Sequence, residues 1–409
     1  MMERRDFLKT MTAGSALALL GTSAAPLLAS TTAAAAEGSA SANALTDFMA
    51  LVGEVHSRYL SAEYGNSAAD EQAVGRRFLA HAMQAAFRLH FASDPLHPAW
   101  VRFVDPQLKL LGDNPDAIYF TAPVSPKHRY RIRGNIEKAD YTSFTVEAGT
   151  VYGGMSKRLL ATLNDTQFDI APDGSYELIA GGPRRDKNWL ELPPDAGSIT
   201  TRHYFEWEHP AAADANLHIP LSIVSLDVVL PPPTPDDASV AAAWRRVATF
   251  FRAVTLDMPM NDFSKMPPFI SREVNRFAPP NQTIGNRAVG FGAADNVYLM
   301  TNYELAPDEA LIMRGRFPKC RFANVVLFNQ FGQTYDFVNR RISLNRRQTR
   351  NETDGSFRMV LAHRDPGLPN WLDTEGRRKG QIFWRFQLAE EKIEPIQTEI
   401  VKQAALPRG

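Results

Sequence analysis

Residues 173–192 read DGSYELIAGGPRRDKNWLEL, and residues 354–374 read DGSFRMVLAHRDPGLPNWLDT. The spacing from Asp173 to Asp354 is 181 residues, and the correspondence extends well beyond these stretches. Arg133-Gly134 faces Arg314-Gly315, and Asn164 with Gln167 faces Asn345 with Gln348, all at 181. Asn188-Trp189-Leu190 faces Asn370-Trp371-Leu372 at 182, Arg202 faces Arg385 at 183, and Tyr119 faces Tyr298 at 179. A nearly constant offset that drifts by one or two residues, where loops tolerate length changes, is the mark of a tandem duplication.

Each copy carries strand periodicity. In YRIRG, Tyr130 and Ile132 alternate with Arg129, Arg131 and Arg133. Phe144 and Val146 share a face, as do Val325 and Leu327 in the second copy. The x-P-D-G-x pattern at Pro172-Asp173-Gly174 predicts a tight turn, with proline presetting φ and glycine supplying the left-handed position. The paired tryptophans Trp189 and Trp371, and the shared Arg133/Arg314 and Arg202/Arg385, are expected to serve the interior of each copy, with a shared arginine pairing a buried carboxylate. The fold expected is mainly β with helical additions (α+β): two tandem-duplicated, jelly-roll-like antiparallel β-sandwiches. Helical spacing over 43–62 and 69–92 predicts two helices. A third follows the Pro-rich stretch after residue 230, with an aspartate cap at Asp236 or Asp237 and a stripe of Val240, Trp244, Val247, Phe251 and Val254. It is expected to dock across both sandwiches. The layout is then a helical region over 37–110, one copy over 111–230, a linker and helix over 231–290, and the second copy over 291–409.

The chain has 409 residues with 45 basic and 45 acidic side chains. That balance argues against nucleic-acid or anionic-membrane binding, which calls for a basic excess. Residues 1–36 begin with Arg4-Arg5, continue through Phe7-Leu8-Lys9 into an alanine-rich stretch, and offer small residues at Ala34 and Ala36. They resemble a twin-arginine export signal, which predicts a periplasmic or secreted protein, the export machinery as a partner, and no integral membrane segment in the mature chain. The one cysteine, Cys320, rules out an intramolecular disulfide.

The runs GDNPDAIYFTAPV, YRIRGN, DGSYELI, NWLELPP and TTRHYFEW together resemble exported or membrane-associated bacterial proteins containing domain of unknown function 1214, often grouped with domain 1254. The likeness spans most of 100–210 and recurs in 291–388. It implies jelly-roll-like sandwiches and brings no catalytic residues with it.

Motifs for phosphate-binding loops, zinc proteases, dinucleotide folds and esterase nucleophile elbows are absent, and no cofactor is expected. TTRHYFEWEHP (200–210) is the densest polar and aromatic cluster. As a strand it places Arg202, Tyr204, Glu206 and Glu208 on one face, and His203, Phe205, Trp207 and His209 on the other. Glu206 and Glu208 are therefore the candidate pair for acid/base hydrolysis of a glycoside, against a reading as a solvated face. His203 and His209 lie about 20 Å apart along such a strand, too far to share a metal. The second copy has Phe386 and Ala389 in place of His203 and Glu206, so any such function belongs to the first copy. Arg129 and Arg131, replaced by Ala310 and Ile312, are candidates for holding an anionic ligand such as a uronic acid. Tyr204 and His203 join them as candidate ligand contacts. Asp113, Asn114 and Asp116 suggest Ca²⁺ but supply too few of the six to eight oxygens it needs, which favours Asx turns. The leading expectation is recognition of a small-molecule or glycan ligand at the cleft between the sandwiches; a carboxylate hydrolase and an assembly scaffold are the alternatives.

Overall fold

A computed structural model describes residues 38–228, 230–258, 267–280 and 292–406; the export-signal region 1–36 lies outside them. Each copy forms a pair of facing sheets. In the first copy the strands are β1 (Val101–Arg102), β2 (Ala117–Pro123), β3 (Tyr130–Asn135), β4 (Tyr141–Ala148), β5 (Arg158–Asn164), β6 (Ser175–Ala180), β7 (Trp189–Leu190), β8 (Ala196–Tyr204) and β9 (Leu221–Ser225). They assemble as β1-β2-β8-β4-β5 facing β7-β6-β3-β9. The second copy has β10 (Asn296–Glu304), β11 (Glu309–Gly315), β12 (Phe322–Phe328), β13 (Ser343–Asn345), β14 (Phe357–Ala362), β15 (Trp371–Asp373), β16 (Lys379–Gln387) and β17 (Gln397–Lys402). Their order, β10-β16-β12-β13 facing β15-β14-β11-β17, repeats the first copy without β1. Pairing is antiparallel except at β6/β7 and β14/β15, which are parallel, a departure from the all-antiparallel expectation that both copies share.

The repeat holds at the level of single hydrogen bonds. Asp173 accepts from the backbone N–H of Ser175 at 3.0 Å and Asp354 from that of Ser356 at 2.9 Å, and Gly174 and Gly355 both adopt a φ of +82°. Asn188 accepts from the N–H of Asp169 and donates to the Glu177 carbonyl; Asn370 does the same with Arg350 and Arg358. The indole N–H of Trp189 donates to the Gly181 carbonyl, and that of Trp371 to Ala362, both at 3.1 Å.

These two tryptophans are not core fillers. Leu190 turns into the sandwich, so its neighbour Trp189 lies on the outer face of its sheet, and Trp371 lies likewise beside Leu372. The interiors are filled instead by Tyr130, Phe144, Val146, Leu178 and Ile199 in the first copy. In the second they are filled by Leu311, Met313, Val325, Phe357 and Trp384, with Trp384 stacked on Phe357 at 5.1 Å. Arg133 and Arg314 also differ from expectation. They form surface pairs with Glu177 and Glu399 rather than pairing buried carboxylates, because their strand positions alternate away from the core.

The helices α1 (Ala40–Arg58), α2 (Ala69–Ala86, continued by a π-turn over Phe87–Phe91) and α3 (Asp237–Ala253) form a layer of their own. Asp236 accepts from the N–H of Ser239, whose hydroxyl accepts from the Asp236 N–H, a reciprocal cap. Asp237 instead accepts from the first N–H groups of α1, at Ala40 and Ser41. The α3 stripe of Val247, Phe251 and Val254 packs with Phe48, Val55 and Phe78, and Phe331 of the second copy stacks on Phe78 at 5.4 Å. The helix therefore completes a three-helix layer rather than bridging the sandwiches by itself. Trp384→Ala is expected to destabilise the protein by about 3–5 kcal/mol through lost burial and a residual cavity, measured by urea unfolding.

Candidate functional site

The duplication is used where the two copies meet. β8 and β16 are the central strands of equivalent sheets, and each turns an arginine to the outer face. Nη2 of Arg202 donates to the carbonyl of Gly292 at 2.8 Å, in the segment leading into the second copy. Nη2 of Arg385 donates to the carbonyl of Gly112 at 2.5 Å, in the segment leading into the first. Two buried asparagines repeat the exchange. Asn345 donates to Asp116 of the first copy at 3.2 Å, and Asn164 donates to Asp295 of the second at 3.0 Å. Asn324 adds a donor to Asp116 at 2.8 Å, and Tyr141 adds its hydroxyl to Asp295. Tyr204 packs on Phe322 with ring centroids 4.8 Å apart, and Tyr119 meets Tyr204 edge-on, so the join is filled rather than open at this point.

Beside the join the two sheets part company. The strand register aligns Thr121, Thr200, Thr145 and Thr162 in one row across β2-β8-β4-β5. The equivalent row across β10-β16-β12-β13 is Met300, Phe383, Val326 and Ser343. One row further along, Ser198 pairs with Glu147, where the second copy pairs Gln381 with Phe328. The first copy's face is polar yet enclosed: Thr145 is 1% exposed, Thr200 2%, Glu147 0% and Arg202 2%. Nη1 of Arg202 donates to the Thr145 hydroxyl at 2.7 Å, Nη2 lies 3.7 Å from Oε1 of Glu147, and Ser156 donates to Oε2. Oε1 of Glu147 has no hydrogen-bond partner among the described residues. Burial pushes the Glu147 carboxyl up to about 7, against the pull of Arg202 and Ser156. A side chain poised between acid and carboxylate can both donate and accept at neutral pH.

The other candidates are distributed elsewhere. β8 ends at Tyr204, so Glu206 and Glu208 do not share a strand face. Glu206 is clamped by Nε of Arg346 at 2.7 and 3.0 Å and accepts the Ala323 N–H at 2.9 Å, tying the copies together; Glu208 lies in solvent, 3.8 Å from Arg347. They are not a hydrolytic pair. His203 points to the opposite side of β8 from Arg202 and Tyr204, beside Thr142 and Phe120, and burial pushes its imidazole down to about 3. Arg129 is engaged by Asp227 on the outer face of the other sheet, so it is not an open anion contact. Asp113 accepts from the N–H of Thr334 at 3.0 Å while Asp116 turns to Asn324 and Asn345, so the two carboxylates do not converge on a cation.

Thr145 and Glu147 escaped the sequence reading because S-F-T-V-E alternates like any half-exposed strand. The available signal was the pairing of Thr145 with Val326 and Glu147 with Phe328 at the repeat offset.

The fold defines a duplicated β-sandwich protein with a helical layer. Residues 310–391, in the second copy, match the family model Protein of unknown function (DUF1214). The crystal structure of an uncharacterized protein from Burkholderia cenocepacia is similar over 89% of this chain and 98% of its own, with 27% identity and a TM-score of 0.76. A protein from Vibrio parahaemolyticus aligns over 80% of this chain and 98% of its own, with 11% identity and a TM-score of 0.48. No curated protein matches the chain. Among the described residues, no helix is long and apolar enough to cross a membrane.

Burial pushes Asp116 up to about 7, against the pull of Asn324 and Asn345. Its folded value then lies above the unfolded one, so the folded chain keeps a proton that the unfolded chain releases from about pH 4. Its contribution is complete below that pH and is lost as pH rises through 7. Asp116→Asn is therefore expected to shrink the stability difference between pH 5 and pH 8, by on the order of 2–4 kcal/mol, in urea unfolding at the two pH values.

Proposed function

We propose that the protein recognises a small, hydroxyl-rich, carbohydrate-like ligand on the polar outer face of the first copy, next to the join between the copies. The observation that carries this reading is the contrast between the two equivalent faces. Arg202 and Arg385 occur in both copies and hold the join, whereas the threonine row and Glu147 occur in the first alone. Each enclosed hydroxyl or carboxyl left without a full set of partners costs about 1–3 kcal/mol relative to an apolar side chain. The second copy shows that the same sheet packs with Met300, Phe383, Val326 and Phe328. A polar version is therefore a stability cost that a ligand with matching hydroxyls would offset. Thr121, at the half-buried end of the row, supplies a donor and an acceptor, Thr145 and Ser198 keep their hydroxyl protons to donate, and the Thr200 hydroxyl and Oε1 of Glu147 have no hydrogen-bond partner among the described residues.

The test uses thermal-shift measurements with mono- and oligosaccharides and polyols. The double variant Thr145→Val/Thr200→Val keeps side-chain shape but takes from Nη1 of Arg202 its acceptor, so it is expected to stay folded and to melt a few degrees below the parent. It is expected to lose at least tenfold in affinity for any neutral sugar that stabilises the parent. A parent that no sugar stabilises, or a variant that binds as the parent does, refutes the reading.

We further infer that the protein is exported by the twin-arginine route. Support comes from Arg4-Arg5 followed by Phe7-Leu8-Lys9 and an uncharged, alanine-rich stretch. Arg4→Lys/Arg5→Lys is expected to leave the full-length precursor inside the cell, read by fractionation and immunoblotting. Normal export of this variant would exclude the route.

A further inference from the structure

The outer faces of the other two sheets, β7-β6-β3-β9 and β15-β14-β11-β17, also differ. In the second copy, Ala310, Ile312, Val360 and Ala362 are covered by Leu368 from the β14–β15 loop and Leu406 from the segment after β17, with Trp371 and Val401 at the margin. The corresponding face of the first copy has arginines in place of Ala310 and Ile312. The cross-strand row reads Trp189, Ile179, Arg131 and Val224, with Val224 45% exposed. The flanking charges neutralise one another: Arg129 pairs with Asp227, Arg133 with Glu177 and Lys187 with Asp169. Arg131 has no hydrogen-bond or ion-pair partner among the described residues. The β6–β7 loop lies against the Arg129 side chain at Gly182 and carries the exposed Arg184 and Arg185. Against these three cations stand Asp186 and, two residues past Trp189, the exposed Glu191.

We propose that this face binds an acidic polysaccharide, with Arg131 as its central carboxylate contact. A guanidinium with no partner in the protein can take a carboxylate in the bidentate geometry that makes such pairs strong. The indole of Trp189, its N–H already committed to the Gly181 carbonyl, leaves a flat apolar ring about 10 Å away across two strand spacings. A sugar ring laid on the indole puts its own or its neighbour's carboxylate within reach of Arg131, and Arg184 and Arg185 extend the positive field along the chain. The inference rests on this outer face and is independent of the buried threonine row.

Binding of the full-length protein to polygalacturonate, neutral dextran and polyglutamate would be measured by calorimetry at low and moderate salt. Polygalacturonate is expected to bind and to weaken as salt rises, with dextran inert and polyglutamate at least tenfold weaker. Arg131→Ile, which installs the second copy's residue, is expected to keep the parent melting temperature and to lose at least tenfold in affinity. Thr145→Val/Thr200→Val serves as a control that leaves this affinity unchanged. Absence of polygalacturonate binding, parental affinity in Arg131→Ile, or equal binding of polyglutamate would each overturn the proposal, the last pointing to an acidic protein partner.

Discussion

The reciprocal reach of two arginines across the join is the constraint on which the architecture rests. Arg202 and Arg385 are each almost wholly buried, each on the central strand of its sheet, and each delivers donors to a backbone carbonyl of the other copy. A buried guanidinium is costly unless its donors are met and its charge has company; Nη1 of Arg385 has no acceptor among the described residues, so the company matters most there. Here the company comes from Glu147 at Arg202 and from the Phe383 ring, 4.4 Å below the cation, at Arg385. Removing either copy would leave the other with an unsatisfied charge and with Asp116 or Asp295 stripped of an asparagine. The two sandwiches are thus one cooperative unit by electrostatics as well as by packing.

Around that fixed join the copies diverged in what they enclose. One sheet face became aromatic in the second copy and hydroxylic in the first; in the other pair of sheets one face gained a cover and its counterpart gained arginines. Both differences leave the strand order and register intact, since side chains on an outer face can change without disturbing the alternate positions that fill the core. A duplicated fold can in this way keep one copy for packing and free the other for recognition.

The helical layer belongs to the same logic. It packs against Phe331 of the second copy, while Lys109, on the segment leaving the layer, donates to the carbonyl of Thr334. The inserted α3 thereby returns to the N-terminal helices.

The repeat, the glycine-bearing turns and the strand alternation were legible in the sequence because each depends on local backbone preference and on identities at a constant offset. Asp173-Gly174-Ser175 and Asp354-Gly355-Ser356 form the same turn for that reason. Where Trp189 and Trp371 would lie was not legible, since the two faces of a strand differ only in what packs on them. Nor could sequence show that Thr145 and Glu147 are enclosed, because polar alternation reads as solvent exposure until another layer covers it. Glu206 and Glu208 failed as a pair because the strand stops at Tyr204 and Arg346, 140 residues away in the chain, claims the first. Short-range chemistry determined the repeating unit; long-range contacts alone decided which of its faces meet water, helix or the other copy.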